Sequence, residues 1–314
     1  MSLESELIAW LQENLPTGPR LDIGLGDDAA VFSGEGSGKQ VVTTDLLTDE
    51  VDFLIDEVQP EQIGHKALGV NLSDLAAMAA RPVAAFVSLV LPRKGTASCA
   101  ALDLAIGLYQ GMLPLAERFD VTIAGGDTNS WDGRLAICIT AFGETTDCGP
   151  LVRSGGQAGD QLLVTGQLGG SILGRHLQVE PRVHEALLLN ERYELHAGID
   201  ISDGLALDTS RLAMASGLGA TLNLPALPLS DAASKLSEKD ARSPIEHALS
   251  DGEDFELIFA VPDDEATRIL RDQPLEIPIT RIGELTQQPG LWQQDATGKQ
   301  KPLQPQGFEH GGQA

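Results

Sequence analysis

Six aspartates carry the most telling chemistry in this chain: Asp28, Asp45, Asp74, Asp127, Asp200 and Asp203 lie within or at the end of apolar stretches, not in charged runs. A carboxylate delivered by an apolar strand is costly unless a cation or a donor meets it. Two carboxylates ~5 Å apart repel by roughly 3 kcal/mol at an effective dielectric near 20, so a convergent set needs divalent cations. Oxygen donors without paired histidine or CxxC favour magnesium over zinc, and magnesium implies phosphates. Thr43 and Thr44, beside Asp45, can add hydroxyl or carbonyl oxygens. No His-Glu-x-x-His or Gly-x-Ser-x-Gly occurs, so covalent catalysis has no evident nucleophile.

These residues must be positioned by the elements around them. Gln40-Val-Val-Thr-Thr-Asp45 reads as a buried β-branched strand that ends in two hydroxyls and a carboxylate, and it is the centre of the chain. Before it, Ser2 caps a first helix that Pro16 and Gly18 end, and Gly24 to Asp28 form a turn into a strand. Gly34 to Gln40 resembles a phosphate-binding loop, but Gln follows Lys39 and a strand follows the loop, so it reads as a hairpin. A helix opens at Pro60 and runs through Ala80, where Arg81-Pro82 stop it. Asn71, Ser73 and Asp74 interrupt its apolar face, as either a surface stripe or a site. A helix over 97–118 and strands over 83–91, 121–124 and 134–142 complete a first sheet. The pattern loosens around Asp147 to Pro150, which places a domain boundary near 150. Beyond it come strands over 161–165, 217–224 and 257–261, a helix beginning in Gly166 to Ser171 and another at Asp203-Gly204.

A chain of 314 residues with 42% apolar content favours two domains. The 46 acidic against 21 basic residues give a formal charge of -25, which argues against nucleic acid and anionic membrane surfaces as partners. Much of that charge is surface. Cys99, Cys138 and Cys148, odd in number and without CxxC spacing, indicate neither a disulfide framework nor a zinc knuckle, and fit a reducing cytoplasm. No run of ~18 apolar residues and no basic leader with an apolar core is present.

Taken together, Gly26-Asp-Asp28, Thr43-Thr-Asp45, Asn71-Leu-Ser-Asp74-Leu-Ala-Ala-Met78, Gly125-Gly-Asp127-Thr128, Asp200-Ile-Ser-Asp203-Gly204 and Gly252-Glu253-Asp-Phe-Glu-Leu257 resemble the thiamine-monophosphate kinase family. The resemblance is ordered and covers roughly residues 20 to 310. It implies the ATP-binding superfamily shared with aminoimidazole ribonucleotide synthetase and selenophosphate synthetase. The implied fold is α+β: two mixed α/β domains, residues 1–150 binding magnesium and nucleotide and pairing into a homodimer, and residues 151–314 completing the nucleotide and substrate site. By the same resemblance Asp28, Thr43, Thr44, Asp45, Asp74, Asp127, Asp200 and Asp203 match magnesium positions, and Tyr109, Gly126, Asp127, Arg153 and Ser202 match nucleotide contacts. Asp52, Glu253 and Phe308 fall at acceptor positions.

Two positions depart from the family pattern, Asp52 standing where it has histidine and Asp251 where it has glycine. The activity implied is direct in-line transfer of the ATP γ-phosphoryl group to thiamine monophosphate, with Asp45, Asp74, Asp127 and Arg153 at the reacting centre. Two alternatives stay open on the residues: a superfamily enzyme with another acceptor, and a non-catalytic acidic metal-binding protein, although no Asp-x-Asp-x-Asp-Gly loop occurs.

Overall fold

The computed structural model describes residues 3–16, 18–33 and 38–308. The N-terminal half comprises α1 (Leu3–Asn14), β1 (Leu21–Ile23), β2 (Ala30–Phe32), β3 (Gln40–Thr48), α2 (Pro60–Ala77), β4 (Ala80–Pro92), α3 (Ala101–Arg118), β5 (Thr122–Trp131) and β6 (Ala136–Thr145). Its strands form one sheet in the order β1-β2-β3-β6-β4-β5, antiparallel except for β4 with β5. α2 packs on one face of that sheet, and α3 packs on α2. The two helices meet backbone to backbone: a Cβ on Gly64 would lie 1.9 Å from the Leu108 carbonyl oxygen, and one on Gly111 would lie 1.8 Å from that of Glu61. Only glycine permits this approach.

The C-terminal half comprises β7 (Gln161–Thr165), α4 (Val183–Arg192), β8 (Ala197–Asp200), α5 (Leu205–Ala215), β9 (Gly219–Asn223), α6 (Asp231–Ser237), α7 (Pro244–Ser250), β10 (Leu257–Val261), α8 (Asp263–Asp272), β11 (Ile279–Thr286), β12 (Leu291–Gln294) and β13 (Gln300–Pro302). The second sheet runs β13-β12-β9-β11-β7-β10-β8. The larger apolar core joins the halves, with Leu151, Leu163, Val179 and Phe259 packed in one cluster with residues of α2, α3 and the first sheet. A second core lies wholly in the C-terminal half. The fold is thus α+β with two mixed sheets, as the sequence implies.

Several boundaries differ from the sequence reading. β3 continues three residues past Asp45 to Thr48, so Asp45 lies inside the strand and not at its end. α2 closes at Ala77, followed by Ala79 at φ +48°, and Arg81 and Pro82 belong to β4. Proline is tolerated there because the register shifts between Pro82 and Ala84. β5 runs through Gly125 and Gly126 to Trp131. Gly166 to Ser171 opens no α-helix, only a single 3₁₀ turn over Ser171–Leu173, since Gly169 and Gly170 adopt positive φ of 85° and 73°. Ser2 and residues 34–37 lie outside the described residues. The flanks of that loop form the expected hairpin: Phe32 pairs with Gln40, and Lys39 bridges to Asp22 at 2.9 Å.

Candidate active site

Three elements bring one carboxylate each to a common point. Asp28 comes from the loop between β1 and β2, Asp74 from the last turn of α2 and Asp200 from the end of β8, with one oxygen of each within 4.8 Å of the others. Each has a local counterweight. The Arg153 guanidinium donates from Nε to Asp28 Oδ2 at 3.1 Å and from Nη2 to Asp28 Oδ1 at 2.5 Å. Thr43 Oγ1 donates to Asp74 Oδ2 at 2.5 Å, and Ser73 Oγ donates to Asp200 Oδ2 at 2.5 Å. These donors do not balance the charge. Burial and then the neighbouring Asp45, Asp200 and Asp28 push Asp74 well above the usual carboxylate range, and burial and then Asp28 do the same to Asp200. Burial pulls Arg153 down, but Asp28, Asp200 and Asp27 more than reverse that and hold it charged.

Strand alternation sorts the remaining expected ligands. Thr43 and Asp45 share the face of β3 turned to α2. Asp45 Oδ2 is buried without a hydrogen-bond partner, and burial, then the charges of Asp52 and Asp203, push the group up to about 6. Thr44 points the other way, its hydroxyl meeting Thr140 Oγ1 at 3.1 Å and Cys138 Sγ at 3.4 Å. Asp127 pairs in register with Ser88 on β4 and is exposed. From β3 to β5 the sheet order counts three strand spacings, about 14 Å.

Within one chain, then, the side chains of Thr44 and Asp127 do not join the cluster that the sequence reading gathered. Gly126 lies beside Asp127, where a Cβ would sit 1.7 Å from the Val87 carbonyl oxygen, and Tyr109 is half-buried on α3 against the larger core.

A cleft of about 410 Å³ opens next to Asp45 and draws on both halves of the chain. Asp52, Ser202, Asp203, Glu253 and Phe308 all line it. Phe308 is held there by its N–H, which donates to the Asp203 carbonyl at 2.9 Å. Asp203 is paired with Arg211. Asp52 turns its carboxylate back on its own loop, Oδ2 accepting from the Thr48 amide at 2.6 Å. Asp251, which departs from the family pattern, also lines the cleft, as does Lys66, which was missed in the sequence. The signal for Lys66 was available: a lone cation inside the apolar stripe from Ile63 to Leu68.

Oxygen donors without sulfur or imidazole, one buried and unpartnered, others pushed toward protonation by burial and then by neighbouring carboxylates, form a set that fits a hard divalent cation such as magnesium.

Comparisons with known proteins find relatives along nearly the whole chain. The family model "AIR synthase related protein, N-terminal domain" matches residues 26–145, and its C-terminal counterpart matches residues 150–292. Thiamine-monophosphate kinase of Rhodopirellula baltica is 45% identical over 316 residues, covering 98% of each chain. That of Bacillus subtilis is 32% identical, covering 92% of this chain and 94% of its own. A solved structure described as AaThiL complexed with AMPPCP and TMP superposes with a TM-score of 0.83 at 28% identity, over 99% of both chains. This chain belongs to the thiamine-monophosphate kinase family, within the AIR synthase related proteins.

Proposed function

We propose that this protein transfers the γ-phosphoryl group of ATP to the phosphate of thiamine monophosphate, giving thiamine diphosphate and ADP. The observation that carries this reading is the Asp28–Asp74–Asp200 cluster beside Asp45, whose unpartnered oxygen is buried and whose side chain lines a cleft that also holds Glu253 and Phe308. The acceptor is already anionic, so no side chain has to remove a proton; alignment and charge neutralisation suffice. Asp28, Asp74, Asp200 and Asp45 would hold magnesium, which when bound supplies the positive charge that lets phosphate oxygens approach so many carboxylates. Arg153 holds the Asp28 carboxylate in place through two hydrogen bonds, while Thr43 and Ser73 fix the orientations of Asp74 and Asp200. Glu253 and the ring of Phe308 offer an anion and a π-face to a thiazolium cation.

The purified protein with magnesium, ATP and thiamine monophosphate is expected to form thiamine diphosphate, and free thiamine is expected not to replace the monophosphate. Magnesium-ATP binding with no diphosphate product would leave the superfamily chemistry and remove this acceptor.

The domain roles follow the same reading: residues 1–150 bind metal and nucleotide and pair with a second copy, and residues 151–314 complete the site. The outer face of the first sheet supports the pairing. Val83 and Phe86 there are 41% and 42% exposed and Leu46 is 63% exposed, while α2 packs on the opposite face. An apolar sheet face of this kind needs a cover. Thr44 and Asp127 lie on that side, the face that pairing would cover. Light scattering is expected to give twice the 33.2 kDa chain mass, and Phe86→Glu to give the single mass. A monomeric parent would sink the pairing. No helix among the described residues is long and apolar enough to cross a membrane, and three unpaired cysteines suit a cytoplasmic setting.

A further inference from the structure

Lys66 lies on α2 with its side chain only 1% exposed. An ammonium that deep must have its charge met. Nζ donates to the carbonyl oxygen of Asp52 at 2.7 Å and to Glu253 Oε1 at 2.5 Å. The first partner belongs to the turn after β3 and the second to the loop before β10, so one group links the two halves of the chain at the cleft. Among the residues lining that cleft Lys66 is the single Lys or Arg, beside five carboxylates: Asp203 is paired with Arg211 and Asp251 with Arg242, while Asp45, Asp52 and Glu253 have no arginine partner among the described residues. Glu253 itself sits at φ +54°, its N–H donating to the Ser202 carbonyl at 2.7 Å. A non-glycine residue in that region persists only when its surroundings hold it.

We propose that Lys66 is a positioning residue for the phosphate acceptor: braced on the Asp52 carbonyl, its ammonium fixes the Glu253 carboxylate at the place where the acceptor's cationic ring is received. This rests on the acceptor reading of the cleft given above. Without Lys66, Glu253, already one-third exposed, is repelled by the other carboxylates and swings to water. The Asp28, Asp74 and Asp200 cluster has no hydrogen bond or ion pair to Lys66 among those described, so the effect belongs to the acceptor and not to the nucleotide.

The test is a double-mutant cycle on the full-length protein, reading acceptor KM by thiamine diphosphate formation and magnesium-ATP affinity by calorimetry. Lys66→Met is expected to raise acceptor KM about tenfold or more and to leave ATP affinity within about twofold. Lys66→Met/Glu253→Gln is expected to match Glu253→Gln alone, because removing Lys66 adds nothing once the group it positions has lost its charge. An unchanged acceptor KM in Lys66→Met, a parallel loss of ATP affinity, or a double variant whose KM is the product of two separate rises would overturn the inference. If Lys66→Met does not fold, the double variant against Glu253→Gln decides by the same comparison, since it leaves no unpaired carboxylate behind. Turnover by the parent is the control: a parent inactive on thiamine monophosphate removes the acceptor reading, whereas an active parent with an indifferent Lys66 variant removes only this inference.

Discussion

Asp74→Asn is expected to cut turnover by about 10²–10³-fold, the scale of losing one preorganised charge-stabilising group, while the metal-free protein melts no lower than the parent. Both halves of this expectation come from one geometry. Asp74 is surrounded by Asp45, Asp200 and Asp28, and burial with their charges pushes its carboxyl well above the usual range. The ionised form is therefore held at a cost, which a bound cation would remove and which asparagine removes permanently. Asparagine keeps an oxygen for the Thr43 hydroxyl, 2.5 Å away in the parent, and its amide can donate across to Asp45. Calorimetry in chelator checks the stability. Magnesium should raise the melting temperature of the parent much more than that of the variant, because binding to the folded state alone appears as stability. A variant that melts well below the parent in chelator would mean that Asp74 is a structural group.

Arg153→Met is expected to lower the melting temperature by about 10 °C. The side chain of Asp28 is 1% exposed and that of Arg153 is 18% exposed, and removing one partner of a buried pair costs about 3–5 kcal/mol because the other charge is left unmet. At roughly 2–4 °C per kcal/mol for a chain of this size class, that loss is easily read by a thermal scan. Asp28→Asn/Arg153→Met should recover most of it while remaining inactive. A melting temperature within a degree or two of the parent's would show that water replaces Arg153 at Asp28. The resemblance placed Arg153 at the nucleotide and the reacting centre; in the folded chain its Nε and Nη2 are engaged by Asp28. Its first task is to hold the cluster together.

The sequence by itself picked out the aspartates that are costly to bury and the kind of fold that surrounds them. Aspartates that end or interrupt apolar runs are expensive to bury, and that expense is visible without coordinates; Asp28, Asp74 and Asp200 do converge. The runs over 161–165 and 257–261 gave strands at their true limits, because their interiors are unbroken apolar residues buried on both faces. Only the tertiary structure decided sidedness. Thr43 and Thr44 are adjacent and chemically alike, yet a pleat sends one to Asp74 and the other to Thr140, and nothing in a dipeptide states which face α2 will cover. Asp127 matches its motif as well as Asp74 does, but three strands of sheet order separate β5 from β3, and strand order is set by long-range pairing that local pattern does not encode. Lys66 shows the same limit from the other side. A buried lysine reads as an error in an apolar stripe until Glu253, 187 positions away in the sequence, folds back to meet it.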